Sequence, residues 1–271
     1  MAHPSRALIA LLLTLGLAVL FLPSVALAGP PKPPAGSCIG TDACAGNTGG
    51  LGTNACVGIH ACFTNAGSIA KDACHESGAC ELNTGAVGVG ACQGIFACLN
   101  NSGSVAREAC IGTGACEGNT GAVGEGACGG AGGDSGIESV CAFIGACDGA
   151  ASACQGNSGQ ISKHACQGNS ACQLNEGIVG ENSCMGPNAC LSNHGTIAKN
   201  SCHGLAACEN TQGNVSAGSC NGVGACLSAG ADGAIGTGAC NGDRACFGNP
   251  GPIAAFTCNG PPVGGVGVCE K

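Results

Sequence analysis

Tryptophan and tyrosine are absent from this 271-residue chain, phenylalanine occurs six times and methionine twice, and only 9% of the residues are charged. A close-packed interior of ordinary size needs large side chains to fill it, so a conventional globular core is excluded. The same shortage removes the aromatic platforms on which sugars stack. Lys and Arg number eight against sixteen Asp and Glu, a balance that argues against nucleic acid or an anionic membrane surface as partner. No C-x2-C or C-x-C pair occurs, so the usual spacing of a zinc cluster is missing. No metal and no cofactor is expected.

What is abundant is glycine, with 52 residues, and cysteine, with 26. The chain opens with a short basic segment, Met1 to Arg6, followed by an apolar run from Ala7 to Leu22 and the small-residue site Ala26-Leu27-Ala28. This pattern predicts a secretory signal peptide over 1–28, with no membrane span left after cleavage. Removal of Arg6 with it leaves seven Lys and Arg against sixteen acids, a net charge of −9. An exported chain this dense in cysteine points to paired, oxidised sulfurs.

Residues 29–37 (GPPKPPAGS) form a Pro-rich spacer. From Cys38 the sequence repeats every eighteen residues as C-x-G-x-x-A-C-x-x-N-x-G-x-[IV]-x-x-x-[AS], with cysteines at positions 1 and 7. A short fixed period is the signature of a repeat stack. Each repeat is too short for a helix pair and carries Gly and β-branched residues at fixed places. The expected fold is therefore all-β, a β-solenoid of the parallel β-helix type with about eighteen residues per coil over 38–257, closed by a cap at 258–271. The period is disturbed over 128–165, where the span from Cys128 to Cys166 equals two repeats plus two residues and reads as a bulged pair of coils.

One large apolar position per repeat, position 14, holds Leu51, Ile69, Val87, Val105, Val123, Ile161, Val179, Ile197, Val215, Ile235 and Ile253, which predicts an inward ladder. Asn fills position 10 in most repeats, with Thr211 and Ala229 as departures, and Gly follows at position 12. Stacked Asn amides at a corner can bond from coil to coil. One branched side chain per coil cannot offset the entropy of ordering eighteen residues, so the sulfurs must close the coil. A bridge across C-x5-C, closing a loop of about seven residues, contributes about 2.4 kcal/mol by the loop-entropy relation.

The spacing predicts the pairs Cys38 with Cys44, Cys56 with Cys62, Cys74 with Cys80, Cys92 with Cys98, Cys110 with Cys116, Cys166 with Cys172, Cys184 with Cys190, Cys202 with Cys208, Cys220 with Cys226 and Cys240 with Cys246. Among Cys128, Cys141, Cys147 and Cys154 the motif favours Cys141 with Cys147, whereas matched spacing favours Cys147 with Cys154. Cys258 and Cys269 remain unassigned.

The C-x5-C pattern resembles that of the disulfide-laddered β-solenoid antifreeze proteins of beetles, whose coils are twelve residues long. Those proteins carry Thr-x-Thr on every coil as the ice-binding face. Here the first cysteine is flanked instead by residues such as Ala91 and Gln93, or Ser183 and Met185. The full eighteen-residue motif looks more like the Cys-rich tandem repeats of uncharacterised secreted proteins.

Other features are read as surface. The histidines His60, His75, His164, His194 and His203 occupy four repeat positions and form no ladder. Position 16 alternates in sign through Arg107, Glu125, Lys163, Glu181 and Lys199, which predicts ion pairs between neighbouring coils. Glu81 and Glu117 share a face two coils apart, too distant to act together on a glycosidic bond. Asn100 and Asn214 head glycosylation triplets. Phe63, Leu99, Leu191, Leu227 and Phe247 share position 8 and form a candidate surface stripe.

The expectation is a non-enzymatic, secreted structural or surface repeat protein, a rigid rod about 60 Å long at about 4.8 Å per rung, serving adhesion to an extracellular or cell-surface partner. Ice binding is the alternative. Its nearest candidate face, the single file Thr48, Ala66, Thr84, Ser102 and Thr120 at position 11, gives way to Glu176, His194 and Gln212, so no substantial thermal hysteresis is expected.

Overall fold

In the computed structural model the chain forms two compact units, Met1–Lys32 and Pro33–Lys271. The residues described are 33–129, 152–230, 233–260 and 269, all in the second unit. The expected signal peptide and the first part of the spacer lie outside them. No helix among the described residues is long and apolar enough to cross a membrane.

Backbone conformation at five positions decides the path of each coil. In the coil 92–109 these are Cys92 (φ 56°), Gly94 (φ 136°), Phe96 (φ 57°), Asn100 (φ 55°) and Glu108 (φ 54°). The same positions, 1, 3, 5, 9 and 17, are left-handed in the other regular coils. A strand requires φ near −120°, so no run longer than seven residues, positions 10 to 16, is free to extend, and that run bends at the position 12 glycine. Among the described residues there is no helix and no sheet, only turns, bends and isolated parallel bridges at positions 2 and 14, such as His75 with Gln93 and Val87 with Val105. The expected all-β solenoid of the parallel β-helix type is therefore not formed. What forms is a turn-built stack of coils in which β-type pairing is confined to single residues.

Coils are joined by backbone hydrogen bonds in a constant register. The position 7 amide donates to the position 6 carbonyl one coil before, as in Cys62 N to Ala43 O (2.7 Å) and Cys98 N to Ala79 O (2.7 Å). The position 14 amide donates to the position 13 carbonyl one coil before, as in Val105 N to Ala86 O (2.8 Å). The span 128–165 keeps this register as one coil, not as a bulged pair. Val123 bridges directly to Ile161, Cys154 N donates to Ala115 O (2.7 Å), and Cys128 is bonded to Cys154. The twenty residues beyond a normal coil thus enter and leave through the arc between the two cysteines. Residues 130–151, including Cys141 and Cys147, lie outside the described residues.

The interior is narrow and is filled by what the composition offers. Ala at positions 6 and 18, both cysteines and the position 14 side chain are buried through the middle of the stack. Glycine at position 12 is required by close approach: a Cβ on Gly85 would collide with the carbonyl of Gly103 in the next coil. Beside it runs a buried Asn column. Each Nδ2 donates to the Oδ1 of the Asn one coil before and to the carbonyl of the position 12 glycine in its own coil, as in Asn83 to Asn65 (2.8 Å) and to Gly85 (2.8 Å). Asn157 continues the column directly onto Asn119 (2.9 Å). It stops at Asn193, whose Oδ1 has no partner, because Thr211 in the next coil turns its hydroxyl to the carbonyl of Cys226 (3.1 Å). In the same region Ser183, Ser201 and Ser219 replace Ala at position 18. Each of the three hydroxyls donates to a carbonyl one coil on and accepts the position 18 amide there, as Ser201 does from Ser219 N (3.3 Å).

Candidate functional site

Among the described residues twelve disulfides run along the stack. Ten join cysteines six apart, from Cys38–Cys44 to Cys240–Cys246, and the other two are Cys128–Cys154 and Cys258–Cys269. The bond from Cys154 to Cys128 rules out the alternative of Cys147 with Cys154. Both cysteines of a coil lie in the interior with the position 6 alanine, and the backbone at position 1 is left-handed. The described cysteines from Cys56 to Cys240 are fully buried, whereas Cys38, Cys44 and Cys269 at the two ends are half-buried. Sulfurs of successive coils approach one another, so that Cys74, Cys80 and Cys92, for example, place their Sγ atoms within 4.8 Å. All of these sulfurs are engaged in disulfides, and a disulfide sulfur is not the thiolate that zinc binds.

The candidate stripe at position 8 is not continuous. Phe63, Leu99, Leu191 and Leu227 are half-buried and Phe247 is exposed. Between Leu99 and Leu191 stand Glu117, Gln155 and Gln173, joined by Gln155 Nε2 donating to Glu117 Oε2 (3.1 Å) and Gln173 Nε2 donating to Gln155 Oε1 (2.9 Å). The apolar surface is widened by Ile59, Ile95, Leu205 and Val223 at position 4 and by Phe96 at position 5, all exposed. Phe96 lies across Gly78 of the coil before. His60 stacks obliquely on Phe63 with centroids 5.1 Å apart, and Arg244 lies 5.8 Å over the ring of Phe247.

The position 16 charges pair less regularly than their sequence suggests. Lys163 reaches Glu125 across one coil step (3.5 Å), while Arg107 turns to Glu108 beside it (2.7 Å). Glu108 holds the Arg107 guanidinium above its ordinary range. Asp72 is held below the usual carboxylate range chiefly by the Asn54 amide, which donates to it at 2.8 Å, with Lys71 alongside. Asn54, Asp72 and Glu108 border a shallow hollow of about 360 Å³ with His75 and Gln93. Its carboxylates already have partners in Asn54, Lys71 and Arg107.

Two arrangements had no signal in the sequence reading. Polar side chains at position 2 cap the carbonyl of the left-handed position 17 twenty-one residues back in the chain: His75 Nε2 donates to Asn54 O (2.8 Å), Gln93 to Asp72 O (2.7 Å) and His203 to Asn182 O (2.7 Å). A pattern of His, Gln and Asn at position 2 could have revealed it. The second is a file of exposed residues at position 13, beside that at position 11. Gly50, Ser68, Ala86, Ser104 and Ala122 stand next to Thr48, Ala66, Thr84, Ser102 and Thr120. Asn100 and Asn214, which head the two acceptor triplets, are exposed.

A family described as Domain of unknown function (DUF7640) matches the chain three times, over residues 32–133, 131–208 and 188–265. The chain belongs to this family. The DUF7640 unit is thus a segment of several coils, and its repetition together with the disulfide ladder describes a Cys-rich tandem-repeat protein of rigid structural or surface type. The many disulfides of this DUF7640 chain fit an oxidising or extracellular environment. No curated protein and no solved structure matches it.

Proposed function

We propose that the protein is a non-catalytic structural or surface repeat protein, exported through its leader and acting outside the cell as a rigid, protease-resistant scaffold. One observation supports this reading above the others: the functional groups of a coil are used on its neighbours. The buried Asn amides and the backbone amides bond from coil to coil, and the sulfurs are spent on closing each coil so that it can stack. Variation falls on outward positions, among them 4, 5, 8, 9 and 16, where adhesion to a cell-surface or matrix partner would be encoded. The oxidised chain should survive a broad-specificity protease that digests its reduced and alkylated form. A pull-down from the native surface or matrix should return a partner that is lost when Ile95, Phe96 and Leu99 are replaced by Ser. Turnover of a substrate by the purified protein would overturn the non-catalytic class.

The doubled file at positions 11 and 13 supports ice binding as a second reading. In the first five coils it presents only Thr, Ser, Ala and Gly, at about 4.8 Å from coil to coil. In later coils Glu176, Ile178, His194 and Gln212 interrupt it. Thermal hysteresis at micromolar concentration, abolished by Thr84→Lys with Thr120→Lys, would decide for this reading. Absence of hysteresis leaves the scaffold alone.

A further inference from the structure

We infer that the disulfide Cys258–Cys269 is a thiol–disulfide exchange site that takes a small external thiol and passes the opening one coil inward. Three features of the C-terminal end meet there. First, Cys269 is half-buried and Cys258 is 9% exposed, whereas Cys240 and the described cysteines of the coils before it, back to Cys56, are fully buried. Second, both cysteines line a cavity of about 1050 Å³, floored by Phe247, Pro250, Pro252 and Ile253. This is room for a small thiol-bearing molecule beside the bond. Third, Cys246, Cys258 and Cys269 hold their Sγ atoms within 4.8 Å of one another, so the sulfur released on opening already faces the next disulfide.

The exchange follows from this geometry. An external thiolate attacks the more accessible Cys269 Sγ, forming a mixed disulfide, and the bonding pair of the broken S–S bond leaves on Cys258 Sγ as a thiolate. That thiolate attacks Cys246 Sγ, forming Cys246–Cys258 and expelling the thiolate of Cys240, which takes the proton released by the external thiol. One S–S bond is made for each one broken, and no oxidant is consumed. The sequence stops at Cys240, because among the described residues no third sulfur is grouped with Cys220 and Cys226 in the same range. Cys38–Cys44 at the other end supplies a built-in comparison. It is half-buried, yet no third sulfur is grouped with it among the described residues, so it opens without rearranging.

The test uses the full oxidised chain, reduced glutathione in limiting amount under native conditions, and an acid quench followed by alkylation and peptide mapping. The expected products are glutathione on Cys269, a new Cys246–Cys258 bridge and an alkylated Cys240, with the disulfides between Cys56 and Cys226 intact. A Cys269→Ser variant should carry the Cys246–Cys258 bridge and a free Cys240 thiol without any added glutathione. Glutathione on Cys269 with the alkylating agent on Cys258 and Cys240–Cys246 retained would overturn the inward transfer. Opening of interior disulfides as early as the terminal one would overturn the site itself.

Discussion

In the middle of the Asn column a single amide makes three contacts at once. Asn101 Nδ2 donates to Asn83 Oδ1 (2.7 Å) and to the carbonyl of Gly103 (2.8 Å), and its Oδ1 accepts from Asn119 Nδ2 (2.7 Å). Asn101→Ala leaves these partners buried and unsatisfied, an expected loss of about 3 kcal/mol in denaturant unfolding. Asn193→Ala should cost clearly less, because the Asn193 Oδ1 has no partner to lose. Glycine substitutions divide in the same way. Gly118→Ala meets nothing within 4 Å and pays only for its left-handed backbone, about 1 kcal/mol. Gly85→Ala drives a methyl into the carbonyl of Gly103 and should prevent that pair of coils from stacking, read as loss of the folded fraction. At Asp72, an NMR titration should place the carboxyl midpoint below the usual carboxylate range, and Asn54→Ala should raise it. Because the folded value is lowered, the interaction is present above the unfolded value and is lost as the pH falls through the folded one.

The coil is the element, and residues 128–165 show how it tolerates change. Their extra length lies between Gly129 and Ser152, inside the arc closed by Cys128–Cys154, while the coils before and after bond as ordinary neighbours. Replacing residues 130–151 by Gly-Asn should restore a C-x5-C arc and leave the circular dichroism spectrum and the unfolding midpoint no lower than before. Much of the coil was legible in the sequence. The period, the inward file from Leu51 to Ile253 and the Asn corner each depend on one residue type at one position, and periodicity exposes such positions. The absence of strands was not legible, since the left-handed position 9 is filled by Gly46, Thr64, Leu82 and Asn100 in successive coils, and position 5 by Asp42, His60, Gly78 and Phe96. No composition rule marks such places, because the fixed backbone comes from the closed disulfide arc and the neighbouring coils. The register of Cys128 was equally hidden, since thirty-eight residues divide as readily into two bulged repeats as into one repeat with an insertion.

At the scale of the whole stack, stability and oxidation are coupled. Complete reduction and alkylation should abolish the native circular dichroism signal in one cooperative transition, since each coil loses its closure and each interface depends on both its neighbours. Retention of that signal would show that hydrogen bonds alone suffice. The placement of the cross-links also sets how the stack bears load. Every disulfide in the described residues closes within one coil, so between coils the covalent link is the main chain alone. A pull on the two ends therefore loads hydrogen bonds, and coils should peel away singly while the sulfur rings stay shut. A regular coil then yields only the twelve or so residues outside its ring, about 40 Å of contour length at about 3.4 Å each. Stretching a single molecule under oxidising conditions should give a train of short, even steps of that size, and adding a reductant should lengthen each step by the residues its ring had withheld.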